Sequence, residues 1–132
     1  MYLKHKSLIA VVDDDQSVRE ALENLISSVG FDVKLFASAE DFLDSDTPLQ
    51  TDCAILDVRL PGISGLELQR RLTADGQGIP VIIITAQGDD KTQDEAVATG
   101  AIAFLNKPVK EQVLLAALES ALNRNAGDQV VS

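Results

Sequence analysis

A doubly wound α/β fold around five parallel strands is what this sequence predicts, and three observations carry the prediction. Apolar runs of four to six residues alternate five times with longer amphipathic stretches. Four of the runs, LIAVV, CAIL, VIII and AIAFL, are unbroken by polar residues, as strands covered on both faces require. Glycines or capping signals stand at most of the joins. Five β-then-α units put helices on both faces of one parallel sheet.

The first run, Leu8 to Val12, is too short for a helix and rich in β-formers. The stretch after it carries Val18, Ala21, Leu22, Leu25, Ile26 and Val29, a spacing that places all of them on one helical face. Asp15 suits the N-cap of that helix and Gly30 stops it. Phe31 to Phe36 reads as the second strand, and Ser38-Ala39-Glu40-Asp41 as a capping box opening a short second helix. Cys53 to Leu56 is the third strand. Its loop, VRLPGIS, is broken by Pro61 and Gly62, and Ser64 with Glu67 opens a third helix through Leu66 and Leu72. Pro80 introduces the fourth strand, Val81 to Ile84, and a fourth helix is expected from about Asp89 to Thr99, ended by Gly100. Ala101 to Leu105 is the fifth strand and Val109 to Asn123 the last helix, which leaves AGDQVVS as a frayed or linker-like tail. The expected organisation is an N-terminal tail over residues 1–7, one domain over 8–124, and a C-terminal tail or start of a linker over 125–132. A (β/α)8 barrel needs about twice this length. A flavodoxin-like sheet of strand order 2-1-3-4-5 is therefore the expected architecture.

A chain of 132 residues has room for one substantial core. No apolar stretch is long enough to span a bilayer, and MYLKHKS lacks the apolar segment of a signal peptide. The single cysteine, Cys53, excludes an intramolecular disulfide, reads as a small buried hydrophobe, and fits a reducing cytoplasm. The net charge of −10 argues against direct nucleic-acid binding by this domain, so any DNA contact would need another domain or partner. His5, outside the folded pattern, is a poor candidate for catalysis or metal binding.

The chemistry lies at the strand ends. In a parallel sheet they converge on one edge, the usual ligand crevice. Asp13-Asp14-Asp15 closes the first run, Asp57 the third, Thr85-Ala86 the fourth, and Lys107-Pro108 the fifth. Crowded carboxylates repel unless a cation neutralises them, and Mg2+ takes oxygen ligands of this kind. Asp15 alone is accounted for as an N-cap. Asp57 stands where a nucleophilic carboxylate can meet a phosphoryl group, with Lys107 as counter-charge and Thr85 as neutral donor.

VVDDD, ILDVRLPGISGLEL, IIITA and FLNKP, in that order, resemble the CheY-like receiver domain of two-component response regulators, over about Leu8 to Leu122. LFASAEDFL and the TAQGD loop are most similar to the FixJ-like branch, which usually carries a LuxR-type helix-turn-helix after the receiver. The resemblance implies that Asp57 accepts a phosphoryl group from a sensor histidine kinase or phosphotransfer protein. It implies Mg2+, replaceable by Mn2+, on Asp13, Asp14, Asp57 and the Arg59 backbone carbonyl. Thr85, Ala86 and Lys107 would contact the phosphoryl group, and the Lys107-Pro108 peptide would be cis, setting the direction of the lysine. Thr85 would move towards the phosphate, and Phe104 would fill the space it leaves. Arg59 and Gln87 would tune loss of the phosphoryl group. Self-phosphorylation and self-dephosphorylation on Asp57 would be the extent of its enzymatic activity.

Val109 stands where many relatives have an aromatic, which weakens any expectation of a packed ring there. Val113, Leu114, Ala117, Leu118, Ala121 and Leu122 form a core stripe on the last helix, with Leu115 and Ala116 as further apolar surface. That surface belongs either to a wide core face or, as the resemblance implies, to a homodimer or partner contact through helix four, strand five and helix five. A haloacid-dehalogenase-type phosphatase would need a second aspartate where Arg59 stands. A flavodoxin would need a hydroxyl- and glycine-rich phosphate loop in place of Asp13-Asp14-Asp15. The output is expected to be either transcriptional, through a domain beyond this chain, or protein binding by a stand-alone receiver.

Overall fold

The computed structural model describes residues 7–74, 78–86 and 90–129. Its strands are β1 (Leu8–Val12), β2 (Asp32–Phe36), β3 (Cys53–Asp57), β4 (Val81–Thr85) and β5 (Ala103–Asn106). The helices are α1 (Gln16–Ser28), α2 (Ala39–Asp44), α3 (Gly65–Ala74), α4 (Asp90–Ala98) and α5 (Glu111–Gln129). All neighbouring strands pair in parallel, in the order β2-β1-β3-β4-β5, as expected.

Strand alternation divides the core in two. Ile9, Val11, Cys53, Ile55, Ile82 and Ile84 face Leu22 and Ile26 of α1 and Leu114, Leu118 and Ala121 of α5. Ala10, Val12, Ala54, Leu56 and Ile83 face Ala39 and Phe42 of α2, Leu68 and Leu72 of α3, and Ala96 of α4. Phe36 and Phe42 meet edge to face, with ring centroids 5.2 Å apart. Leu118 is fully buried, so its truncation to alanine would cost about 2–5 kcal/mol.

Local signals set the helix ends. Asp15 caps α1 by accepting from Ser17 N–H at 2.8 Å. Gly30, at φ +98°, ends it, donating to Ser27 O while Phe31 donates to Ile26 O. Ser38 caps α2 by accepting from Asp41 N–H, and Ser64 accepts from Glu67 N–H at the start of α3. Neither cap closes into a reciprocal box among the described bonds. Glu67 turns to Arg70 and Arg71 instead.

Several expectations are corrected. Ala21 is exposed and Val29 is 45% exposed, because the α1 stripe that reaches the sheet is narrower than the apolar spacing implied. A 3-10 helix at Thr47–Gln50, with proline in its first turn, lies before β3. The last helix begins at Glu111 rather than Val109 and continues through Gln129, so most of the tail read as frayed is helical. No proline follows Asn123, and a lone Gly127 costs a helix only about 1 kcal/mol. Val113 is 46% exposed rather than part of the core stripe, whereas Leu115 packs partly against the core. His5 lies outside the described residues.

Candidate functional site

Parallel register brings four strand ends to one edge. Val12 aligns with Leu56, Asp57 with Ile84, and Thr85 with Asn106. Asp13 therefore emerges beside Asp57, Thr85 lies on the next strand, and Lys107 follows the strand after that. The backbone continues the ladder past the strands, with Val58 donating to Ile84 O and Lys107 donating to Thr85 O at 2.8 Å.

The side chains close on one another. Lys107 Nζ lies 2.8 Å from Asp13 Oδ2 and 3.0 Å from Asp57 Oδ2, bridging two carboxylates 44 residues apart in sequence. Asp13 is fully buried and Asp57 nearly so, while Asp14 is exposed. Carboxylate oxygens of Asp13, Asp14 and Asp57 all fall within 4.8 Å of one another. Backbone groups orient the pair: Asp15 N–H donates to Asp13 Oδ1 at 2.9 Å, and Arg59 N–H donates to Asp57 Oδ1 at 3.0 Å.

Burial pushes the Asp13 carboxyl above the usual aspartate value, and the Asp57 charge adds to this. Hydrogen bonds from Lys107 and Asp15 oppose it. For Lys107, burial works to lower the pKa, but the hydrogen bonds and charges of Asp13 and Asp57 outweigh it and raise the value. Cys53, deep in the sheet, has its thiol pushed up to about 12 by burial first and the Asp52 charge second, which makes it inert.

The donor set fits a hard divalent cation. Three carboxylates converge against one bridging ammonium, the most buried carries a pKa raised by burial first and by the neighbouring Asp57 charge after it, and exposed Asp14 leaves that side open to water. Thr85 is fully buried at the end of β4, and Ala86 beyond it is exposed. Phe104 pairs in register with Ile83, so it shares a sheet face with Thr85 and packs against the second core cluster. Arg59 is exposed at the mouth of the site. The Lys107–Pro108 peptide is cis. Gln87 lies outside the described residues.

Two contributors went unnoticed in the sequence. Arg19 reaches back from α1 and donates to the Asp13 carbonyl oxygen at 2.7 Å, tying down the acidic loop. Gly65 packs so tightly under β3 that a β-carbon there would meet the Asp57 carbonyl oxygen. No spacing rule marks the arginine, since any long cation in the first turns of α1 looks like solvated surface. The glycine follows a serine at a helix start, where a turn explains it equally well.

A five-stranded sheet of this order, with acids and a lysine on its C-terminal edge, defines a CheY-like α/β domain of signalling type. The chain belongs to the response regulator receiver domain family, whose description matches residues 9–119. It is 46% identical over 117 residues to the response regulator protein TmoT of Ectopseudomonas mendocina, covering 89% of this chain and 53% of that protein. It is 44% identical over 118 residues to the transcriptional regulatory protein FixJ of Azorhizobium caulinodans, covering 89% of this chain and 56% of FixJ. Among solved structures, the response regulator StyR superposes with a TM-score of 0.86 at 50% identity, over 95% of this chain and 63% of that one. The chemotaxis protein CheY4 of Vibrio cholerae superposes with a TM-score of 0.82 at 25% identity, over 89% of this chain and 100% of that one. The chain spans about half the length of the curated relatives it matches. No helix among the described residues is long and apolar enough to cross a membrane.

Proposed function

We propose that this domain is a phosphorylation-gated switch in which Asp57 takes a phosphoryl group from a histidine kinase or phosphotransfer protein. The observation that carries the reading is the Lys107 ammonium bridging Asp13 and Asp57, with Asp14 alongside. A carboxylate oxygen of Asp57 would form the new P–O bond as the P–N bond of the donor phosphohistidine breaks. Asp13, Asp14, Asp57 and the Arg59 carbonyl would hold Mg2+, or Mn2+ in its place. When bound, that ion would neutralise charge on the transferring phosphoryl oxygens. Lys107 would pair with a phosphoryl oxygen, and the Thr85 hydroxyl and Ala86 backbone at the end of β4 would donate to another.

The switch we infer runs from Thr85 to Phe104, which share a sheet face, and then to the surface of α4, β5 and α5. Exposed Val97 and Val113 make that surface suitable for a phosphorylation-dependent homodimer. Arg59 and Gln87 would set how fast water removes the phosphoryl group. We take residues 8–124 as the functional unit in a cytoplasmic setting. The output is transcriptional, through a DNA-binding domain carried elsewhere in the full protein, as relatives named as transcriptional regulators suggest. The strongly acidic domain itself would not hold DNA.

Intact mass after incubation with acetyl phosphate tests the chemistry. One phosphoryl increment is expected on the parent with Mg2+, and none without Mg2+ or on Asp57→Asn. An increment that survives Asp57→Asn would sink the assignment.

A further inference from the structure

We propose that Glu40 is a positioning residue for the loop between β3 and α3: from the first turn of α2, its carboxylate holds that loop at Gly62 and Ile63. The inference rests on the reading of Asp57 as phosphoryl acceptor and concerns how its loop is kept in place.

An acid in the first turn of a helix is ordinarily explained by the helix dipole, and exposed Asp41 fits that explanation. Glu40 differs. Its side chain turns inward, and Oε2 accepts a hydrogen bond from Ile63 N–H at 3.2 Å, 23 residues away in sequence. Oε1 is buried with no hydrogen-bond partner among the described residues. Desolvating one carboxylate oxygen without a partner is unfavourable, so interaction with the dipole alone would leave this side chain in water. The loop is shaped to receive it. Gly62 sits at φ +75°, and a β-carbon there would lie 2.2 Å from Glu40 Oε2. The glycine thus supplies both the turn and the space for the carboxylate.

The loop has a second anchor at its base. Gly65 N–H donates to Val58 O at 3.1 Å, and the close approach of Gly65 to Asp57 O leaves no slack there. Between the two anchors runs the backbone that matters for chemistry: Arg59 N–H orients Asp57 Oδ1, and the Arg59 carbonyl is the inferred cation ligand. Releasing the outer anchor would leave Asp57 on its strand but loosen the Arg59 backbone. Groups that orient metal ligands from behind usually matter to affinity in this way.

Three variants of the full chain test this. Glu40→Ala removes the acceptor. Glu40→Gln keeps one, since the amide oxygen can accept from Ile63 N–H. Ser38→Ala removes the cap of the same helix without touching the loop. Two readouts are taken: Ile63 amide hydrogen exchange by NMR, and the Mg2+ concentration giving half-maximal phosphorylation by acetyl phosphate. In Glu40→Ala we expect Ile63 exchange to speed up by about fivefold. The half-maximal Mg2+ concentration should rise by about tenfold. Ser38→Ala should lose stability yet leave both readouts at parent values, and Glu40→Gln should restore both. If Glu40→Ala matches Ser38→Ala in both, the proposal is overturned. If the parent takes up no phosphoryl group, the Asp57 reading fails on its own, and Ile63 exchange still decides whether Glu40 holds the loop.

Discussion

A β-carbon on Gly65 would lie 2.0 Å from the carbonyl oxygen of Asp57, a separation no side chain tolerates. The start of α3 is therefore pressed against the end of β3, and only the absence of a side chain permits it. Gly65→Ala must push the helix start away from the strand. The expected cost is about 1–3 kcal/mol in urea denaturation, with slower phosphorylation by acetyl phosphate. A variant of parent stability would show that the helix start shifts freely.

Lys107 is the counter-charge for two buried carboxylates, so its loss should be felt most without a divalent cation. Lys107→Met is expected to cost about 2 kcal/mol in Mg2+-free buffer, below the range for fully buried pairs because the lysine is partly exposed. Saturating Mg2+ should recover part of that loss. Denaturation midpoints with and without Mg2+ check both statements, and a loss indifferent to Mg2+ would mean the carboxylates are not its cause.

Asp13 gives a pH signature. Burial raises its folded-state pKa above the usual 3.8, so the folded protein holds this proton more tightly than the unfolded chain. Its contribution is most favourable below the unfolded value and is lost as pH rises through the folded one. Lys107, also raised, keeps its contribution until pH exceeds 10.5 and does not confuse this window. Without Mg2+, the stability of the parent relative to Asp13→Asn should fall as pH rises from about 4 towards neutrality. A flat difference would contradict the burial of the carboxylate.

Arg19→Ala should loosen the acidic loop without emptying it of acids. The lost bond to the Asp13 carbonyl is charge-assisted and part-buried, worth about 1–2 kcal/mol. Arg19→Lys should recover little, because an ammonium lacks the planar fork of the guanidinium. Chemical denaturation of the two variants is the check.

Phosphorylation should move the Phe104 ring. It shares a sheet face with Thr85 and is only partly buried, so a vacancy at Thr85 is within its reach. The aromatic resonances of Phe104 with and without acetyl phosphate and Mg2+ report this directly, and unchanged resonances in the modified protein would rule the movement out.

The sheet was legible because buried parallel strands write themselves as unbroken apolar runs. LIAVV and VIII mark β1 and β4 to within a residue. The carboxylates and the lysine were legible for a related reason: a strand end is a position that apolar runs define, and polar residues there must face the crevice. What reaches the site from elsewhere was not. Arg19 and Glu40 act through their side-chain lengths across tertiary gaps, and nothing in their spacing distinguishes them from solvated charges. The 3-10 turn at Thr47–Gln50 and the start of α5 depend on loop closure, which periodicity does not encode.

Among the described side chains of α4, Ala96 alone is buried, the remainder being exposed or half-buried. What fastens this helix to its neighbours includes a bond from Gln69 to the Ala96 carbonyl and a long, solvent-exposed contact of Arg70 with Glu95. Lifting one alanine methyl into water costs about 1 kcal/mol, losing the Gln69 bond costs about as much, and an exposed ion pair adds less. A single charge-assisted bond gained at the crevice is of the same order. On the proposed switch, a small local free energy at the sheet edge would be matched to a comparably small free energy of displacing this helix, and the two ends would be geared to one another. The five-stranded frame between them would not have to deform for one to drive the other.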